Sequence, residues 1–175
     1  MEVRQFCRKI GTTLRVLEVS TQWANNDELY VGLFKEAVNK DMLQENPPLV
    51  FWDYCAERRA DIINMTTKEL FQLQGHTPHF TTFGEEGDIS NNFPFGWYEW
   101  VYFRETTAEF PFPAHVLGRC LGPAKNEGKE MTQWVLKQNG QIVPWKKIRR
   151  LTPEKWARKT EINKRSEFND AVKAR

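Results

Sequence analysis

The hydrophobic period of this chain changes once, and the change divides it. From Asp27 to about Met65, apolar residues recur three and four apart, first at Leu29, Leu33, Phe34, Ala37 and Val38, then at Val50 or Phe51, Tyr54, Cys55 and Ile62. That is the repeat of helices with a buried face. From Phe95 the period becomes two, with Trp97, Glu99, Val101 and Phe103 alternating with Tyr98, Trp100, Tyr102 and Arg104, as in a strand with two usable faces. Residues 75–95, rich in Gly, Thr, Asn and Pro, read as the connection between the two regimes. Helices followed by a run of short strands make an α+β chain.

Local signals sharpen the elements. Residues 2–9 read as a short helix stopped by Gly11, and 13–19 as an extended segment rich in β-branched residues. Asn25, Asn26 and Asp27 are candidate caps for a helix over 27–42, which the Asn46-Pro47-Pro48 break ends. Pro48 suits the first position of a second helix running to 65. Thr66-Thr67-Lys68-Glu69 has the form of a capping box for a short helix through 73. Phe110-Pro111-Phe112-Pro113 breaks the first strand, and a second covers 116–121. Two more, at 131–136 and 141–143, flank the Asn139-Gly140 hairpin signal. Four short strands of this spacing suggest a small barrel or twisted sheet of SH3-like size. Thr152 and Pro153 open a charged helix.

Charge is unevenly spread. Between Pro144 and Arg175 eleven Lys and Arg face four acids, a net +7, whereas the whole chain carries only +2, so the rest is −5. A basic extension on a mildly acidic body suits contact with phosphate, because lysine and arginine displace its counterions, but it suits a merely solvated tail as well. No run of about 18 apolar residues is present to cross a membrane, and the first residues lack the apolar core of a secretion signal. Cys7, Cys55 and Cys120 are odd in number and far apart, which suits reduced thiols acting as small buried hydrophobes in a nuclear or cytoplasmic compartment.

Several constellations invite chemistry. In the first helix, Glu28, Gly32, Lys35 and Asn39 share a face, with Glu28 and Lys35 about 10 Å apart. A carboxylate beside a residue without a side chain leaves room for a metal ion or a phosphate backbone. From spacing alone, a surface helix with an acidic first turn is the preferred reading. His76, His79 and His115 lack zinc-site spacing with the cysteines. Asp53, Glu57 and Asp61, interleaved with Arg58 and Arg59, read as a salt-bridged solvent face. The aromatic cluster Trp97, Tyr98, Trp100, Tyr102 and Phe103 offers surfaces for stacked bases or a methylated-lysine cage, although packing suits most of an alternating strand. Gly118 and Gly122 make no phosphate loop, because no lysine followed by serine or threonine stands in register.

In order, the motifs resemble the C-terminal part of copia-type LTR retrotransposon integrases. Phe6-Cys7-Arg8-Lys9-Ile10-Gly11 is similar to the helix and following turn that lead into the family's glutamate helix, and Trp23 to Lys35 to that helix itself. Residues 48–65, with Trp52 and Arg58-Arg59, resemble the helix that follows. Thr77-Pro78, Gly84 and Asp88-Ile89-Ser90 stand in the order of the family's connection. Leu117 to Pro123, Trp134-Val135-Leu136 and Asn139-Gly140-Gln141-Ile142-Val143 resemble the small β domain after the core. Gln22 to Asn26 and Trp145 depart from the family pattern.

The resemblance implies a partial ribonuclease-H-like core over 1–75, a linker over 76–95, an SH3-like β barrel over 96–150 and a basic helical or disordered tail over 151–175. It makes Glu28 the catalytic, metal-holding carboxylate and assigns DNA contact to Lys35, Lys146, Lys147, Arg149 and Arg150. The intact enzyme would join retroelement DNA to host DNA by Mg²⁺-assisted attack of a 3′ hydroxyl on phosphate, and it leaves a homo-oligomer open. Two metals need more than one carboxylate, and the family's two upstream aspartates are not in this chain, so it is expected to be inactive alone, as a decayed frame or a polyprotein fragment. The alternative is a non-catalytic protein- or peptide-binding β-barrel module.

Overall fold

A computed structural model of the protein describes residues 9–11, 26–66, 73–105, 115–127 and 131–174. The expected extended segment at 13–19, most of the helix at 2–9, the capping box with its helix, the Phe-Pro break at 110–113 and Cys7 lie outside these residues. Contacts divide the chain into Met1–Glu36 and Ala37–Arg175, with the division inside the first long helix.

That helix, α1, covers Asn26–Glu45 and carries Asp27 and Glu28 in its first turn, where carboxylates complement the helix dipole. It runs three residues past the expected 42 and stops at the expected Asn46 break. Asn46 takes φ +47 and donates its N–H to the Met42 carbonyl, a left-handed cap that needs a short polar residue or glycine. The second helix starts later than the sequence suggests. Pro48 is extended, and its carbonyl accepts from Phe51 N at 3.2 Å, so Leu49–Phe51 forms a 3-10 turn before helix α2, Trp52–Asn64. Cys55 of α2 is buried against the Val38 carbonyl of α1, and Arg59 donates to Asp41 through Nε at 2.9 Å.

The stretch 75–95, expected as a plain connection, contains two short helices. In α3, Pro78–Phe83, Thr77 accepts from Phe80 N at 3.0 Å, Pro78 occupies the first turn, and Gly84 closes the helix at φ +75. In α4, Ile89–Asn92, Asp88 accepts from Asn91 N at 3.1 Å. Caps alone specify helices this short, because six and four residues hold too little periodicity to show.

Five strands follow: β1 Trp100–Arg104, β2 His115–Pro123, β3 Gln133–Leu136, β4 Ile142–Trp145 and β5 Ile148–Arg150. All pair antiparallel in the order β4-β3-β2-β1-β5. The first strand is shorter than its alternating pattern, because Tyr98 takes φ +53, outside strand geometry, in a turn where Glu99 accepts from Gly96 N. The Asn-Gly signal holds: Gly140, at φ +79, turns β3 into β4, and Gln141 N donates to Asn139 Oδ1 at 3.0 Å. Strand β5 is additional to the four that the sequence suggests.

The sheet is strongly curled. β4 and β5 lie at opposite edges, about 19 Å apart in a flat sheet, yet only Lys146 and Lys147 join them, a span of at most about 11 Å. Phe103 of β1 and Trp145 of β4, separated by two strands, meet edge-on with ring centroids 5.7 Å apart. They close an interior built on Val101, Phe103, Cys120 and Val135. At Gly118, opposite Val101, an added Cβ would lie 2.7 Å from Val135 Cγ1 and 2.9 Å from the Leu136 carbonyl oxygen. Gly122, at φ +125, sits beside a shift in the β2–β3 register and against the Arg58 side chain of α2.

Two helices finish the chain, α5 Pro153–Ala157 and α6 Lys159–Lys173. Thr152 caps α5 by position but makes no side-chain capping bond. The last helix is more than a solvated basic tail, since Glu161, Phe168 and Val172 are buried. Phe168 meets Trp100 edge-on at 5.1 Å, and Tyr102 donates its hydroxyl to Glu161. Residues Trp100 and Tyr102 thus face α6, while Val101 and Phe103 face the interior.

Candidate functional site

Two places carry functional potential in the unit Ala37–Arg175. The first is the corner where β4 passes into β5. Lys146, Lys147 and Arg149 are exposed there and pair with no acid among the described residues. Strand alternation puts Arg149 and Ile148 on opposite faces, so burying Ile148 in the interior turns Arg149 outward. Arg150 differs. Its Nε lies 3.2 Å from Glu99, its terminal nitrogen donates to the Pro94 carbonyl, and its guanidinium stands 5.5 Å from the Phe95 ring. Its charge braces the turn ahead of β1.

The second place is a pocket of about 550 Å³ between the end of α1, α2, the Gly96–Glu99 turn, β2 and α5. Its walls include Glu45, Arg58, Trp97, Trp100, Arg119 and Trp156. Arg119 is held by two rings and two hydrogen bonds. Its guanidinium lies 3.5 Å from the Trp100 ring and 4.3 Å from the Tyr98 ring, and donates to the Tyr98 carbonyl at 2.7 Å and to Asn169 at 3.3 Å. Burial pushes its pKa down to about 10, although Tyr98 and Glu45 oppose the fall, so it stays charged at neutral pH. Burial also lowers Arg58, which gives one hydrogen bond to the Phe95 carbonyl at 3.1 Å. Trp100 and Tyr98, candidate walls of a methylated-lysine cage, thus already hold the chain's own guanidinium. Nothing in the sequence marked Arg119 beyond its place in the Leu117 to Pro123 stretch, because its role depends on the pairing of β1 with β2.

Glu28 and Lys35 belong to the other unit. Both are exposed on α1, seven residues apart and therefore on one face. Leu29, Val31 and Leu33 in the same half of the helix are about half exposed. No group of three or more His, Cys, Asp or Glu side chains among the described residues is placed to hold a metal ion. These residues therefore do not by themselves fit a two-magnesium centre.

The remaining candidates have structural partners. Asp61 and Glu57 reach across to Lys125, the latter at 3.9 Å, while Arg58 and Arg59 bond to Phe95 and Asp41. The expected salt-bridged face along α2 is thus a set of ties to other elements. His76 stacks on Phe80 at 4.3 Å, and His79 bonds the Glu85 carbonyl at 3.0 Å. Cys55 and Cys120 are buried, with burial pushing their thiols up to about 11 and about 12. They are protonated at neutral pH, and neither is a competent nucleophile.

No protein-family model, curated protein or solved structure matches this chain. No helix among the described residues is long and apolar enough to cross a membrane.

Proposed function

We propose that this chain is the C-terminal part of a copia-type retrotransposon integrase and that its own contribution is binding to duplex DNA. The observation that carries the reading is the curled antiparallel sheet with its exposed basic corner. The strand order β4-β3-β2-β1-β5 and the tight β4–β5 passage suit an SH3-like barrel, and Lys146, Lys147 and Arg149 project from that passage without acidic partners among the described residues. The order of the sequence motifs adds support. Thr77-Pro78, Gly84 and Asp88 of the resemblance are the caps of α3 and α4, and Gly118 and Gly122 are the close approach and the bulge of β2.

For the ribonuclease-H-like part, the support is narrower. Glu28 lies in the first turn of a long helix whose first half exposes Leu29, Val31 and Leu33, apolar surface of the kind that a sheet bearing the family's two aspartates would cover. In the intact enzyme Glu28 would hold Mg²⁺, which polarises the phosphate under attack, and Lys35 would position a DNA phosphate. In this chain alone Lys146, Lys147 and Arg149 bind phosphate, and Arg150 holds the turn that supports them.

Salt titration tests the reading. Duplex binding should weaken steeply between low and physiological salt, and replacing Lys146, Lys147 and Arg149 together by glutamine should reduce the slope of log K against log salt by about 2 to 3. Absence of duplex binding at low salt would refute it. The catalytic half is tested in an intact integrase carrying this segment, where Glu28→Gln should abolish strand transfer; unchanged transfer removes Glu28 from the metal site.

A further inference from the structure

The pocket holds more hydrogen-bond donors than its walls satisfy. Among its acids, Asp41 is held by Arg59 and Glu99 by Arg150. Glu45 makes no ion pair within 4.0 Å among the described residues, although its charge acts on Arg119. On the donor side, Arg58 spends one bond on a carbonyl, and Arg119 gives one from each terminal nitrogen, to the Tyr98 carbonyl and to Asn169. Each terminal guanidinium nitrogen carries two N–H groups, so a wall with two guanidiniums retains donors for an acceptor-rich, anionic guest.

The aromatic walls define its shape. Trp156 is nearly half exposed, and Arg165 steadies its ring from 4.2 Å. Trp97 and Trp100 are almost fully buried and serve as fixed walls. The volume lies within the few hundred Å³ usual for small-ligand sites, enough for a single nucleotide. A cationic guest is disfavoured, since it would meet Arg58 and Arg119 and would find Trp100 already covered.

We propose that this pocket takes one unpaired nucleotide, with its phosphate between Arg58 and Arg119, its base against Trp156 and its exocyclic amine donating to Glu45. The nucleotide comes either free or as the unpaired end of a DNA strand, and only the second source rests on the duplex-binding reading above. Base stacking on an exposed tryptophan is strong and tolerant of sequence, while an amine donor to Glu45 favours cytosine or adenine over thymine.

The test compares blunt duplex, the same duplex with a three-nucleotide cytidine overhang, deoxycytidine monophosphate, thymidine monophosphate and a trimethyl-lysine peptide, by anisotropy and tryptophan fluorescence on the full chain. The overhang should bind about fivefold or more tightly than the blunt duplex. Trp156→Ala should remove that excess and leave blunt-duplex binding intact. Glu45→Gln should narrow the preference for cytidine over thymidine, which a purely structural role would not do. Equal binding of both duplexes, with no fluorescence response to either monophosphate, overturns the pocket assignment and leaves duplex binding standing. Response to deoxycytidine monophosphate without binding of either duplex supports the pocket, assigns it the free nucleotide and sinks the duplex reading. Preference for the trimethyl-lysine peptide overturns the assignment in favour of a peptide partner.

Discussion

Arg119 and Trp100 are direct partners across β1 and β2, and the guanidinium of one lies 3.5 Å from the ring centroid of the other. This pair joins three layers. Phe168 of α6 meets the same indole edge-on, Asn169 accepts from the same guanidinium, and the Tyr98 carbonyl fixes it from the turn before β1. A lysine could supply the charge at this position but not the planar fork that meets a ring, a carbonyl and an amide together. Arg119→Lys should therefore destabilise the fold by about 2 kcal/mol and Arg119→Ala by about 3, read as a lower urea midpoint at unchanged m-value. A loss below about 0.5 kcal/mol for both would show that the stack is incidental.

Two glycines should respond in opposite directions to alanine. At Gly118 the new methyl would press on Val135 and on the Leu136 carbonyl. Because backbone cannot move aside cheaply, Gly118→Ala should cost roughly 1–3 kcal/mol. Gly32, inside α1, has nothing within 4 Å of the added atom, so Gly32→Ala should raise helix stability by about 0.5–1 kcal/mol. Thermal melts of the two variants beside the parent check both signs.

The attachment of α6 should weaken in acid. Burial alone would raise the Glu161 pKa, but hydrogen bonds from Tyr102 and Lys164, with the nearby charges of Lys164 and Lys155, bring it below its ordinary 4.5. A depressed carboxylate stabilises the fold fully above its unfolded value, and that contribution is lost as pH falls through the lower folded one. The urea midpoint of the parent should exceed that of Glu161→Gln at neutral pH, and the gap should shrink between about pH 5 and pH 3. A gap constant across that range would exclude Glu161 as the group responsible.

Thiol chemistry offers an independent check on the interior. In a variant with Cys7 replaced by serine, the native chain should react with a disulfide reagent at pH 8 far more slowly than the denatured chain, because Cys55 and Cys120 are both buried and protonated. Rapid native reaction of Cys120 would contradict the packing between Val101, Phe103 and Val135.

Much of this architecture was legible along the chain. The long helices, the stop at Asn46, the β3–β4 hairpin and the two-faced first strand follow from local signals, because a period of 3.6 or 2 and a residue tolerant of left-handed backbone act within a few positions of one another. Strand β5 is three residues long and too short to show a period, so pairing with β1 creates it. The basic tail looked solvated because its buried positions, Glu161, Phe168 and Val172, are few among many charges. The pocket is the extreme case. Its walls come from segments up to 115 positions apart, Asp41 to Trp156, and Arg119 meets Trp100 only because one antiparallel register places them side by side. Periodicity and turn chemistry, which are local, set the elements and their order, whereas strand register and helix docking, which are contacts between distant residues, set which charged and aromatic groups share a site.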